Sequence, residues 1–281
     1  MNDEIRYLDV QPAHPRSYST VLEDIYNDAL DAAVLRGLFS ESTLLNVKQV
    51  LADKDLESGW LQPNAGFPGL GIRVQGLAAT RCGTMPNGPA KDDYFNSAAD
   101  RRTDLEMLFG TDFDPVACIE AGLGQLAGGL PVELPKTASG RSYGPCTVRS
   151  LSAGEGILLH HDNHYPIPVY DELLPRLDSS TCISFFVVLQ RPEQGGYLYL
   201  YKLKRDEEGD LPRLSNGQLD PQVVEQQVPH TRFDLNEGDL IVFSAGKLYH
   251  RVEPVAGPRT RVTMGGFLAL DKAHQRVLYW S

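Results

Sequence analysis

The second half of the chain limits the possible folds more than any other feature. From about residue 143 it breaks into short apolar or alternating runs separated by turn residues. Cys146–Leu151 alternates, and Gly156–His160 is apolar. Cys182–Leu189 (CISFFVVL) and Tyr197–Tyr201 (YLYLY) flank a Glu-Gln-Gly-Gly turn. Thr231–Leu235 and Asp239–Phe243 (DLIVF) flank Asn236-Glu237-Gly238, and Tyr249–Val255 and Arg261–Leu268 follow. Runs of this length, rich in β-branched and aromatic residues and bounded by Gly, Asn and Asp, are strands. About eight of them in sequence point to a mainly β chain with flanking helices, built on a double-stranded β-helix, the cupin-like jelly roll.

The first half has a different texture. Ala32–Leu38 suits a short strand, and Ser40 or Ser42 suits the cap of a helix running to about Leu51. Residues 62–98, crowded with Gly, Pro, Asn and Asp, read as loop, and residues 100–125 read as helical. The expected organisation is a single domain over 1–281, with a helix-rich part over about 1–125 packed outside a jelly-roll core over about 143–270. A net charge of −11 disfavours nucleic acid and anionic membranes as partners. No run approaches the ~18 apolar residues of a membrane span. Cys82, Cys118, Cys146 and Cys182 form no CxxC pair and read as free thiols, so a soluble, cytoplasmic protein acting on a small molecule is expected.

Chemistry concentrates in LLHHDNHY, Leu158–Tyr165. On a strand, side chains alternate between faces, so His160 and Asp162 share one face while His161 points to the other. Alone this is weak: with seven histidines and 22 aspartates in 281 residues, chance yields about half of one His-x-Asp match. A third ligand is available in His250, which opens a late strand, and a jelly roll lays early and late strands side by side. Two imidazoles and a carboxylate on one face of a metal make the facial triad of non-haem Fe(II) oxygenases. Arg261 lies eleven residues further on, sharing a strand face with Thr263, and this pair suits the distal carboxylate of a keto acid. Arg259 is its local competitor, nearer the turn. Arg149, on the strand before the cluster, is a candidate for a substrate carboxylate, and Asn163 and Tyr165 are candidates for the cavity mouth. His161 and His164 are expected outside the ligand set, and Arg73 and Arg81 lie where a lid could form. A non-enzymatic metal-binding cupin is the alternative from the same fold.

The assembled order, His160-x-Asp162, His250, Arg261-x-Thr263, resembles the Fe(II)/2-oxoglutarate-dependent oxygenase superfamily. Within it, GGLPVELPKTASGRSYGPCTVRSL, YHRVEPVAG, GGFLALDKAHQRVLYWS and DYFNSA (Asp93–Ala98) look like the matching stretches of the welwitindolinone/ambiguine-type carrier-independent halogenases. The resemblance implies Fe(II) held by His160, Asp162 and His250, with 2-oxoglutarate as co-substrate, O₂ as oxidant, and succinate and CO₂ as by-products. It also implies one departure. Those halogenases have Gly where this chain has Asp162, and the missing carboxylate leaves room for chloride on the metal. With Asp162 present, the resemblance implies hydroxylation of an unactivated C–H, with an amino acid or N-acyl amino acid as the expected substrate. A hydrophobic natural product, or desaturation or halogenation with the same cofactors, is the alternative.

Overall fold

The structure, a computed structural model, describes residues 4–11, 18, 20–53, 73–75, 91–162, 168–178 and 183–281. The strands in chain order are β1 (Tyr7–Val10), β2 (Ala32–Leu35), β3 (Arg73–Gln75), β4 (Val132–Glu133), β5 (Thr147–Leu151), β6 (Ile157–His160), β7 (Ile183–Gln190) and β8 (Gln194–Gly195). They continue with β9 (Leu198–Lys204), β10 (His230–Phe233), β11 (Leu240–Phe243), β12 (Leu248–Val252), β13 (Val255–Ala256), β14 (Arg261–Leu270) and β15 (Val277–Trp280). The helices are α1 (Val21–Tyr26), α2 (Glu41–Asp53), α3 (Lys91–Phe109), α4 (Pro115–Leu126) and α5 (Pro221–Gln227).

Two sheets face each other. The larger runs β1-β2-β11-β7-β14-β15-β4, with β5 on β14 and β3 on β5; the smaller runs β10-β9-β12-β6. From β5 to β14 the chain visits the sheets in the order large, small, large, small, small, large, small, large, with the short β8 and β13 pairing separately. That is the double-stranded β-helix expected from the sequence. Residue parity decides what each sheet face buries. On β11, Leu240 and Val242 point into a cluster shared with helix residues such as Leu44, Val47, Ile119 and Leu123. Ile241 and Phe243 point the other way, into the space between the sheets with Leu151, Leu198, Leu200 and Val252. The helices therefore cover the outer face of the large sheet, and the inter-sheet space is left for the site.

Local signals account for the helices. Ser40 caps α2, accepting a hydrogen bond from the Thr43 N–H (3.2 Å). Asp114 caps α4 through the N–H groups of Val116 and Ala117 (both 3.0 Å), with Pro115 at the first helical position. Such a cap contributes about 1 kcal/mol. It also splits the helical stretch expected over 100–125 into α3 and α4.

Three expectations are corrected. Residues 91–98 belong to α3 rather than to a loop, and Tyr94 and Phe95 are buried there against Tyr143. Arg73–Gln75, also inside the expected loop, pairs with β5; the rest of that loop, with Arg81 and Cys82, lies outside the described residues. The first half is not only an outer helical layer: β2 pairs with β11 and so extends the large sheet, and β1 adds to it in parallel. None of the helices among the described residues is long and apolar enough to cross a membrane.

Candidate metal centre

His160 ends β6 and His250 lies in the middle of β12, and the two are direct partners in the antiparallel register. Strand pairing alone therefore brings together residues 90 positions apart, with ring centroids 4.2 Å from each other. Asp162 follows two residues past His160, and its N–H donates to the Ala245 carbonyl (2.8 Å), which ties it to the turn before β12. Its Oδ1 is 3.5 Å from His160 Nε2 and its Oδ2 is 3.7 Å from His250 Nε2. One donor atom from each of the three lies within 4.8 Å of the others.

This set fits a metal. A first-row ion with N and O donors at about 2.1 Å on one octahedral face would space them about 3 Å apart, a little closer than the separations seen. The tautomers fit as well. His160 Nδ1 is 2.7 Å from the Leu158 carbonyl and His250 Nδ1 is 3.2 Å from the Leu248 carbonyl. A carbonyl only accepts, so each Nδ1 carries the proton and each Nε2 turns a lone pair toward the centre. Burial pushes His250 down to about 3, so it is neutral near neutral pH and ready to ligate. Burial opposes ionisation of the Asp162 carboxyl, while the hydrogen bond it accepts from the Ser184 hydroxyl favours its charged form.

Ser184 joins the site from a position that the motif spacing does not single out. It sits on β7 and donates to Asp162 Oδ2 at 2.5 Å. Its signal was a single hydroxyl inside the otherwise apolar run CISFFVVL. His161 lies off the donor set, its ring edge-on to Tyr249 at 5.2 Å, as strand parity requires. Asn163, His164 and Tyr165 lie outside the described residues.

The cavity at this centre is lined by His160, Asp162, Ser184, His250, Arg149, Arg261 and Thr263, with Phe186, Phe243 and Phe267 among its apolar walls. Arg261 is buried at the start of β14, its guanidinium 5.1 Å above the Phe186 ring. Gly196 makes room for it: a Cβ there would meet Arg261 Cδ at 3.0 Å, and its φ of +68° favours glycine. Burial, and then the like charge of Arg149, pull Arg261 down to about 10, which still leaves it protonated at neutral pH. Arg259, two residues earlier, is exposed and among the described residues reaches the Pro192 carbonyl, at 3.5 Å. Arg149 on β5 stands opposite Thr263 in the register. Cys146 is buried and Cys118 half-buried, both as free thiols, and Cys182 lies outside the described residues.

Several solved structures are similar in shape. A 2OG-Fe(II) oxygenase family oxidoreductase from Burkholderia pseudomallei shares 16% identity, with 94% of this chain and 93% of that one covered and a TM-score of 0.48. A prolyl hydroxylase from Trichoplax adhaerens, in complex with a hypoxia inducible factor peptide fragment, shares 13%, with 94% and 93% covered and a TM-score of 0.49. An N-substituted L-amino acid dioxygenase from Burkholderia ambifaria shares 13%, with 92% and 91% covered and a TM-score of 0.47. No curated protein matches the sequence. The family model described as carrier-protein-independent halogenase WelO5 matches residues 4–281, and the chain belongs to that family.

Proposed function

We propose that this protein hydroxylates an unactivated C–H bond of a small molecule, consuming 2-oxoglutarate and O₂ and releasing succinate and CO₂. Family membership supports a 2-oxoglutarate-dependent non-haem iron oxygenase. His160, Asp162 and His250 are the residues that would hold Fe(II). Bound there with 2-oxoglutarate and O₂, the iron supplies the oxidising power for C–H cleavage. The chain's own residues supply the rest. The two Nδ1–H···O=C bonds orient the imidazoles, and Ser184 orients the carboxylate. Arg261 over Phe186, with Thr263 beside it, is placed to pair with the distal carboxylate of 2-oxoglutarate, and the aromatic walls keep water away. Asn163 and Tyr165 remain proposed for the cavity mouth.

One observation favours hydroxylation over the family's named halogenation. The Asp162 carboxylate lies at ligand distance from both histidines and is anchored by Ser184 and Ala245. A carboxylate on the metal takes the position a halide would need. We read residues 1–281 as one oxygenase domain, because helix residues and sheet residues share a core cluster. We also place it in the cytoplasm, where a reducing environment suits a thiol such as Cys118 that forms no disulfide.

The test is to add Fe(II) and 2-oxoglutarate without oxygen, then admit air with a panel of small molecules. A visible charge-transfer band, succinate, and a product about 16 mass units heavier are expected. No band and no succinate would overturn the oxygenase reading. A chlorinated product, about 34 units heavier, would overturn hydroxylation in favour of halogenation.

A further inference from the structure

The cavity holds one more cation than the cofactors use. Arg149 and Arg261 both line it, on paired strands, with Arg149 opposite Thr263 and Leu151 opposite Arg261. Neither guanidinium has a hydrogen bond or ion pair with any described residue; Arg149 feels the Asp162 carboxylate only through space, and Arg261 lies over the Phe186 ring. Among the described lining residues Asp162 is the one carboxylate. The five residues after it, Asn163 to Ile167, include no acid.

The charges can then be balanced, on the cofactor reading proposed above. A ferrous dication, the Asp162 carboxylate and dianionic 2-oxoglutarate leave a single negative charge, and Arg261 cancels it. Arg149 remains. An arginine stays protonated in any protein environment, and a cation half-buried in a largely apolar cavity calls for an anionic partner. We propose that the substrate is an organic acid whose carboxylate pairs with Arg149, and that it carries no ammonium group beside that carboxylate. The second part follows from the lining: an ammonium would need its own anion, and Asp162, the one acid among the described lining residues, is committed to the metal. Ile157, Leu198, Phe243, Val252 and Phe267 offer an apolar wall for the rest of the molecule. This selects an N-acyl amino acid or a simple aliphatic or aryl acid over a free amino acid, and over a neutral or basic natural product.

The experiment uses the Fe(II)- and 2-oxoglutarate-loaded protein without oxygen and measures binding by calorimetry. The probes are matched triplets on leucine, valine, phenylalanine and methionine skeletons: the N-acetyl amino acid, the free amino acid and the N-acetyl carboxamide. Simple acids (4-methylpentanoate, 3-phenylpropanoate) complete the panel. On the best-binding skeleton, an acid without ammonium should bind roughly tenfold or more tighter than both its free amino acid and its carboxamide, the ratio expected of one charge-assisted pair. Arg149→Gln should abolish that preference and leave 2-oxoglutarate affinity within about twofold, while Arg149→Lys, which keeps the charge, should retain part of it. Arg261→Gln should do the reverse. Equal binding of acid and carboxamide, tighter binding of free amino acids, or no binding by any acid would overturn the proposal. So would a loss of 2-oxoglutarate affinity in Arg149→Gln as large as in Arg261→Gln. A wild-type protein that fails to bind 2-oxoglutarate at all would instead overturn the cofactor reading.

Discussion

Replacing Ser184 with alanine removes one oxygen atom from the molecule, and the structure says which property should change. The Ser184 hydroxyl donates to Asp162 Oδ2 at 2.5 Å, a short bond to a charged acceptor. Such bonds are worth about 1.5–3 kcal/mol. The Asp162 side chain is 18% exposed, so water can recover part of this in the metal-free protein. The loss of folding stability should therefore fall near 1 kcal/mol. The larger effect should appear in metal binding, where the carboxylate must be held in one orientation. Removing an outer partner of a metal ligand typically weakens affinity about 10–100-fold. The assay is competition of Co(II), an air-stable stand-in for Fe(II), against a chelating indicator, for wild type, Ser184→Ala and Ser184→Thr. Threonine keeps the hydroxyl and should restore most of the affinity, which separates the hydrogen bond from a packing effect. If Ser184→Ala binds Co(II) as tightly as wild type, the hydroxyl does not position Asp162 and the reasoning fails.

Three further outcomes are expected. Asp162→Gly restores the residue the resembling halogenases carry and should abolish most hydroxylation; product analysis with chloride present then shows whether the vacated position admits a halide, and surviving hydroxylation would refute the ligand assignment. Arg261→Gln should raise the 2-oxoglutarate concentration needed for half-maximal succinate release by about 10–100-fold, the equivalent of one lost charge-assisted pair. Arg36→Met should cost about 2–3 kcal/mol in urea unfolding, because Arg36 (2.6 Å) is the charged partner of buried Asp239, which among the described residues would keep the N–H groups of Gly37 and Asn236. The same variant should flatten the acid limb of stability. Arg36 hydrogen bonds hold the Asp9 carboxyl below its ordinary value, so their contribution is complete above about pH 4 and is lost as pH falls through the lowered value.

The jelly roll could be read from the sequence because its strands are half-buried ribbons whose composition and turns report their environment directly. The ligands were legible for the same reason: parity separates His160 and Asp162 from His161, and fold topology brings His250 to them. Other features depend on partners distant in sequence. AAVL reads as a strand, but nothing in it says that it joins the sheet beside β11. Val277–Trp280 is four consecutive buried residues with no alternation, which a short run cannot distinguish from a helix end. The start of α3 was hidden because its first buried pair, Tyr94 and Phe95, is adjacent rather than spaced by a helical turn. Ser184 announced itself only as a polar residue in an apolar run; its target lies 22 residues away across a loop.

The smaller sheet has a further consequence. His160 rides on β6, a four-residue strand at the end of the β10-β9-β12-β6 order, paired on one edge among the described residues and carrying an irregularity between its two paired positions. His250 rides on β12, which is paired on both sides. The centre therefore spans a seam between a strand prone to fray and a strand that is not. An ion seated there would act as a clasp, and its escape would be limited by the rate at which β6 peels from β12. Amide hydrogen exchange at Leu158–His160 and the rate of metal loss should then slow together when the clasp is closed, while exchange at β9 stays unchanged.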